Sequence, residues 1–256
     1  MPKYGVDDYG LKVWYGNFYD YDERIDFVRG LGFDGIERLY TTSAEEALTK
    51  GARLAKLGMS FATVLAPDVE RSIKWTAAMG GQYVWIDVMQ FRRGLSVELL
   101  SRQVNEMTRV CNNYGIDCVL HNHLHQPAET QAEIEELLAA CPNTKLLFDV
   151  GHCAAGGGDV RYMVETYYDR IAAFHFKGWR LNDDVDKTQE GWLKNGTFRG
   201  LIQGNYPVDN EYVYKYAMKK GFDGWFFIEH DHHVQDPAID LAESLAVMKQ
   251  WEKEVK

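Results

Sequence analysis

Short apolar runs alternate with amphipathic segments along the whole chain. Each run is a few residues long and stops at a polar residue or a glycine, which is typical of a strand buried on both faces. Between the runs, apolar residues recur at helical spacing. Leu100, Val104, Met107 and Cys111 are one example, and Gly115 ends their helix. The predicted strands are residues 3–8, 33–37, 59–65, 83–88, 116–121, 145–149, 171–175 and 225–229.

This alternation predicts parallel strands joined by crossover helices. Eight such units in 256 residues, without a Pro/Gly/Ser-rich linker, predict a single-domain α/β protein, a (β/α)₈ TIM barrel over residues 1–256. The alternative is an open doubly wound sheet, which usually carries a Gly-rich turn after its first strand, and residues 8–10 are not one. Residues 178–207 interrupt the pattern and are expected to form a long polar loop. Asp209 is expected to cap the helix that follows.

Four predicted strands end in a side chain that can bind a metal or move a proton, namely His121, Asp149, His175 and Glu229. The C-terminal strand ends of a barrel meet on one face, so we expect these side chains to lie together. Two imidazoles and two carboxylates suit a divalent cation. The mixed set favours Mn²⁺ or Co²⁺, and Zn²⁺ and Mg²⁺ are alternatives. One such residue alone would more often be structural, but four in succession favour a metal site.

Three further residues near these strand ends are candidates for catalysis. His152 follows Asp149 by three positions and is expected to bind a substrate hydroxyl, to move a proton or to orient the metal ligands. Lys177 lies two positions after His175, where its charge could stabilise an enolate. Glu37, at the end of the second predicted strand, is a candidate base or hydroxyl binder, with a structural salt bridge as the alternative.

Candidate substrate-binding residues are His123, Trp14 and Trp179. His123 competes with His121 for the role of fifth-strand ligand, and the sequence leaves that choice open. The two tryptophans fall in strand-to-helix connections, where their rings could stack on a sugar, with packing as the alternative for each.

Composition narrows the classes of function. A net charge of −10 argues against a nucleic-acid partner, because phosphates attract basic surfaces. The absence of a long apolar stretch and of a signal-like start predicts a cytoplasmic protein without a membrane partner. Four cysteines without a CxxC pair are expected to be reduced and buried. Nucleophile-elbow and phosphate-loop motifs do not occur, so acyl and phosphoryl transfer are not supported.

Five stretches resemble the xylose isomerase-like TIM-barrel superfamily of sugar isomerases, epimerases and dehydratases. They are Gly-Phe-Asp-Gly-Ile-Glu at 32–37, His-Asn-His at 121–123, Phe-Asp-Val-Gly-His at 148–152, His-Phe-Lys at 175–177 and Gly-Trp-Phe-Phe-Ile-Glu at 224–229. They follow the family's order and span most of the chain. Within the superfamily, residues 147–175 and the Glu129-Thr130 pair most resemble inosose dehydratase and its relatives.

The resemblance implies a metal-dependent lyase that removes the proton next to a carbonyl of a keto-polyol or oxo-sugar. Many family members have a glutamate where this chain has His121, and epimerases use that glutamate as one of two bases. The histidine therefore favours elimination. A sugar isomerase or epimerase is the alternative, and a non-catalytic sugar-binding subunit is the third. The expected partner is a small sugar or polyol, with a homo-oligomer or a partner subunit left open.

Overall fold

The computed structural model of the chain describes residues 1–16, 20–86 and 94–255. Eight of its strands form one parallel sheet, in the order β3-β2-β1-β10-β7-β6-β5-β4. These strands are β1 (Lys3–Asp7), β2 (Gly35–Tyr40), β3 (Ser60–Leu65), β4 (Tyr83–Ile86), β5 (Asp117–His121), β6 (Lys145–Asp149), β7 (Ile171–Phe176) and β10 (Trp225–Glu229).

Within the described ranges, ten helices connect and cover these strands. They are α1 (Tyr9–Trp14), α2 (Tyr21–Gly30), α3 (Ala44–Lys56), α4 (Val69–Ala78), α5 (Val97–Asn113), α6 (Gln131–Ala140), α7 (Val150–Ala155), α8 (Val160–Tyr167), α9 (Asn210–Lys219) and α10 (Pro237–Val255). The sheet curls into a nearly closed barrel. Its two outer strands, β3 and β4, approach where the Gln82 backbone N–H donates to the Ala62 carbonyl at 2.7 Å. The predicted TIM-barrel class is confirmed.

Inside the barrel, a small buried apolar cluster forms a layer below the C-terminal strand ends. Its members are Ala62, Tyr83, Val119, Leu147, Ala173, Trp225 and Phe227. Side chains in a strand alternate between faces, so the residue two positions later points to the same side. The four strand-end candidates each lie two positions after one of these apolar residues. The barrel interior therefore positions them as the next layer toward the mouth.

Helix signals in the sequence were mostly accurate. Thr130 caps α6 in a capping box with Glu133, and the Ser96 hydroxyl accepts from the backbone at the start of α5. Pro237 begins α10, where the first turn of a helix tolerates proline. Asp209 occupies the N-cap position of α9, as predicted, but its side chain does not cap the helix. Its φ is 59°, its side chain makes no capping hydrogen bond, and its carboxylate pairs with Arg161 instead.

Other boundaries also differ from the prediction. The expected loop at 178–207 contains an antiparallel hairpin of β8 (Gly178–Leu181) and β9 (Gly196–Arg199), in which Trp179 is opposite Phe198. Glu37 does not end its strand, because β2 continues to Tyr40. Residues 87–88, the predicted end of the fourth strand, lie outside the described residues. The short helices α1 and α7 had no counterpart in the prediction.

All four cysteines are buried and free, as the sequence predicted. Across the described ranges, no helix combines the length and the apolar character that a membrane crossing requires.

Candidate active site at the barrel mouth

Four donor side chains meet at the C-terminal ends of β5, β6, β7 and β10. The ligand atoms of His121, Asp149, His175 and Glu229 lie within 4.8 Å of one another, and all four residues are buried. Asp149 is central, since its Oδ2 is 3.4 Å from His121 Nε2 and 3.5 Å from His175 Nδ1. His175 Nδ1 is also 2.8 Å from Glu229 Oε2. The structure therefore brings together the four residues that the strand ends suggested.

Lys177 places a positive charge among these carboxylates. Its Nζ is 2.9 Å from Asp149 Oδ2, 2.6 Å from Glu229 Oε2 and 3.1 Å from Asp231 Oδ2, and the side chain is fully buried. Burial by itself would raise the pKa of Asp149, but the neighbouring ammonium holds it well below its usual range. Burial also raises the pKa of Asp231 to about 6, against the opposing effect of Lys177. The ammonium thus offsets part of the negative charge of the cluster.

Glu37 supports His175 from the opposite side. Its Oε2 is 3.0 Å from His175 Nε2, and its Oε1 accepts from the Tyr83 hydroxyl at 2.5 Å. Burial raises the pKa of Glu37 to about 7, although His175 acts to lower it. Burial would lower the pKa of His175, but Glu37 and Glu229 outweigh it and raise that pKa well above its ordinary value. Both carboxylate oxygens of Glu37 are therefore engaged, and the imidazole is held by a carboxylate at each nitrogen.

His152 lies beside Asp149 because the carboxylate caps α7. Asp149 Oδ1 accepts from the His152 backbone N–H at 2.7 Å, so the three-residue spacing reflects the first turn of a helix. The Leu124 backbone N–H donates to His152 Nδ1 at 3.1 Å. Burial strongly lowers the pKa of His152, so the ring is neutral and carries its proton on Nε2. That Nε2 is buried and has no hydrogen-bond partner among the described residues.

The His123 ring lies against the His152 ring, tilted by 35° and with the ring centroids 3.7 Å apart. Its Nδ1 donates to the Leu124 carbonyl at 2.7 Å, so a neutral His123 keeps a lone pair on Nε2. The backbone of one residue, Leu124, thus fixes opposite tautomers in two neighbouring rings. One ring presents an N–H donor and the other presents an acceptor.

The two tryptophans occupy different surroundings. Trp14 ends α1, is about half exposed, and meets the His233 ring edge-on at 6.2 Å. Trp179 is buried, its Nε1 donates to the Leu193 carbonyl at 2.9 Å, and its ring packs on Phe198 at 4.5 Å. Phe198 in turn lies 4.3 Å from the His152 ring. Trp179 therefore affects the site only indirectly, by packing against Phe198.

Several side chains at the mouth were missed from the sequence. Asp231 and Phe198 contact Lys177, and Tyr83 bonds to Glu37. Trp85 lies 4.9 Å from the His121 ring, two positions after Tyr83 in the same strand. Strand alternation could have indicated Trp85, and proximity to Glu229 could have indicated Asp231. The contacts of Tyr83 and Phe198 depend on packing across the barrel.

The donor set is compatible with a divalent cation. Burial lowers the pKa of His121 to about 4, so its imidazole is neutral and able to act as a ligand. Two imidazole nitrogens and two carboxylate oxygens suit a borderline-to-hard metal ion. Glu37, on the Nε2 side of His175, leaves Nδ1 toward the cluster, which matches the carboxylate–histidine support usual behind metal ligands.

Comparison with known proteins gives consistent results. A family model described as "Xylose isomerase-like TIM barrel" matches residues 25–251. Among curated relatives, the inosose dehydratase of Bacillus licheniformis is 30% identical over 144 residues, covering 53% of this chain and 46% of the relative. The inosose dehydratase of Bacillus velezensis is 29% identical over 214 residues, covering 80% and 66%. The chain thus spans about half to two thirds of the length of these relatives.

Solved structures resemble the chain over nearly its full length. The probable 3-DHS dehydratase AsbF of Bacillus anthracis has a TM-score of 0.72 at 15% identity, covering 96% of this chain and 98% of that one. A structure of L-ribulose 3-epimerase has a TM-score of 0.73 at 13% identity, covering 100% and 96%. At these identities the likeness concerns the fold alone.

Proposed function

Because the chain belongs to the xylose isomerase-like TIM-barrel family, we propose that it is a metal-dependent carbohydrate lyase. The substrate class is a keto-polyol or oxo-sugar, and the reaction is a dehydratase-type elimination. The observation that carries the proposal is the close pair of His123 and His152 rings, with opposite tautomers, beside a four-residue donor set. An elimination needs one group to accept a proton and another to donate one. The dehydratase names of the curated relatives agree with this choice.

We propose His121, Asp149, His175 and Glu229 as the residues that would hold the metal, with Mn²⁺ the first choice and Co²⁺, Zn²⁺ or Mg²⁺ as alternatives. When bound, such an ion polarises a substrate carbonyl and acidifies the adjacent C–H bond. His121 serves as the fifth-strand ligand in this scheme because it lies in the cluster. His123 is then free for the substrate.

The proton chemistry is assigned to the neighbouring rings of His123 and His152. His123 Nε2 accepts the proton from the carbon next to the carbonyl, and the C–H electrons form the new double bond. His152 Nε2–H donates its proton to the departing hydroxyl, so the C–O bond breaks with release of water. Positioned groups of this kind typically contribute about 10²–10⁴ in rate.

Other residues balance the charges of the proposed ligands or orient them. Lys177 offsets the two ligand carboxylates and stabilises negative charge that develops on the substrate oxygen. Glu37 was a candidate base, but both of its oxygens are engaged, which supports a role in orienting His175. The two hydrogen bonds described for Glu229, with His175 Nδ1 and Lys177 Nζ, both use Oε2. This position inside the donor set supports a role as a metal ligand, and proton abstraction is the alternative.

The tryptophans are assigned to the walls of the site. Trp179 supports Phe198 against His152, so it is proposed to shape the substrate pocket indirectly. Trp14 is about half exposed beside His233, in the segment that follows β10, where it could contact the outer part of a sugar. Its ring is proposed to affect KM more than kcat.

The direct test is incubation of the metal-loaded protein with inosose-type ketones in the presence of Mn²⁺. An elimination produces an enedione, followed by its ultraviolet absorbance. His152→Ala should reduce the rate by about 10²-fold or more, and the exposed His232→Ala serves as the control. Absence of the product with every oxo-substrate would overturn the proposal. Solvent deuterium taken up without loss of water would instead identify an isomerase or epimerase. Retained sugar and metal binding without turnover would identify a binding subunit.

A further inference from the structure

A second group of metal-type side chains lies just beyond β10, outside the four-residue donor set. The ligand atoms of His230, His233 and Asp240 lie within 4.8 Å of one another. His230 and Asp240 are each 1% exposed, and the imidazole of His233 is equally buried. Two of the three come from the segment that follows Glu229, and Asp240 lies in the first turn of α10. The mechanism proposed above uses none of them.

One polar requirement in this group is unmet, and its buried carboxylate has no permanent cation beside it. His230 Nε2 faces the Ser244 hydroxyl at 3.2 Å, but His230 Nδ1 is buried and has no partner among the described residues. Asp240 accepts from Gln203 Nε2 at 2.5 Å and lies 2.9 Å from His233 Nδ1. Within the described ranges, no lysine or arginine pairs with this carboxylate. Buried carboxylates are normally paired with a cation or coordinate a metal.

We propose that His230, His233 and Asp240 form a second divalent-metal site of the zinc type. Two imidazoles and one carboxylate match the usual ligands of Zn²⁺, and three protein ligands leave a fourth position for water. Ligand atoms in a tetrahedral zinc site lie roughly 3.3 Å apart, so a small inward movement of the side chains would complete it. A cation there would use the unpartnered His230 nitrogen and neutralise Asp240 at once.

The position of the site indicates a structural role. His230 directly follows the proposed ligand Glu229, and the next residue, Asp231, bonds to Lys177. The carbonyl of His230 is packed so closely on α1 that a Cβ on Gly10 would lie 1.6 Å from it. A metal bound here would fix the segment that carries Asp231, and would tie it to the start of α10. The residues of this site are therefore positioning residues for the barrel mouth.

Metal stoichiometry tests the proposal without any assay of turnover. The protein is stripped with a chelator, dialysed against Zn²⁺ alone, and analysed by mass spectrometry of the metal. We expect two ions per chain in the unaltered protein, and one in His233→Gln or Asp240→Asn. The neighbouring His232 is exposed, so His232→Ala should keep both ions. Unchanged stoichiometry in both His233→Gln and Asp240→Asn would overturn the proposal.

A background lacking the first site separates the two proposals. In Asp149→Asn, one ion per chain should remain, and Zn²⁺ should still raise the melting temperature. Adding His233→Gln to that background should abolish both effects, with Zn²⁺ affinity falling by more than the roughly 100-fold that follows loss of a supporting group. If the four-residue site binds no metal, the unaltered protein holds one ion and His233→Gln holds none. Circular dichroism identifies a variant that fails to fold. If Asp240→Asn fails to fold, the result for His233→Gln decides the test.

Discussion

Replacing Lys177 with methionine removes a buried positive charge and keeps most of the side-chain volume. Its ammonium lies 2.6–3.1 Å from the carboxylates of Asp149, Glu229 and Asp231. In Lys177→Met these groups would face one another without a permanent cation. We therefore expect the metal-free protein to be much less stable.

The size of the effect follows from the distances. A single pair of unit charges 2.9 Å apart attracts by roughly 6 kcal/mol at an effective dielectric constant near 20. Desolvation of the ammonium offsets much of this in the folded state. Removing one member of a buried ion pair typically costs about 3–5 kcal/mol, and we expect a loss in that range for Lys177→Met.

The pH dependence gives a second, independent signature. Asp149 and Glu229 have pKa values held well below their usual range, so they contribute stability above the unfolded pKa that is lost as pH falls through the folded pKa. Without Lys177, burial should raise both pKa values, and protonation would then relieve the repulsion. The stability difference between the two proteins should be largest at about pH 8 and smaller at about pH 5.

Urea unfolding in the presence of a chelator, followed by circular dichroism, measures the difference. Lys74→Met is the matched control, because Lys74 pairs with Glu70 at 2.5 Å on the exposed face of α4. The control should unfold like the unaltered protein. If Lys177→Met lost no more stability than Lys74→Met, the assignment of a charge-balancing role would be wrong.

Three further predictions test the site and the sheet that carries it. Asp149→Asn removes a proposed ligand and should abolish Mn²⁺ binding at the barrel mouth in equilibrium dialysis; retained binding would contradict the assignment. Tyr83→Phe leaves the buried Glu37 carboxylate short of a donor, so urea titration should show a loss of about 1–3 kcal/mol, and an unchanged curve would count against it. Gly35→Ala places a Cβ 1.9 Å from a carbonyl oxygen of β3 and should lower the melting temperature by roughly 5 °C or more. Gly30→Ala meets no atom within 4 Å and should not lower it.

The barrel and its donor set could both be predicted from the sequence, because both follow from the two-residue alternation of side chains along a strand. Val119 and His121, or Leu147 and Asp149, share a face by alternation, and parallel strands bring their ends to one side. No knowledge of loop structure was required. Four apolar runs with similar ends therefore sufficed to group residues that are far apart in the chain.

The other features of the fold and the site depend on tertiary contacts that leave no signal in the local sequence. The hairpin of β8 and β9 has strands of only four residues within a polar segment, and the Trp179–Phe198 pair becomes visible only when they are opposed. β2 continues past Glu37 because residues 38–40 pair with residues 63–65 of β3. The tautomers of His123 and His152 depend on the backbone of Leu124, which sequence cannot orient.

The pairing of β1 with β10 joins the early strands of the barrel to the proposed metal site. Asp7 is in register with Glu229, so β1 lies directly against β10, which carries a proposed ligand. Glu37, the brace for His175, also comes from the early part of the chain. The four donors themselves come from β5, β6, β7 and β10, which are neighbours in the sheet without β1. Pairing of β1 with β10 therefore adds the Glu37 support of His175, and loss of β1 would separate that support from the strands that carry the donors.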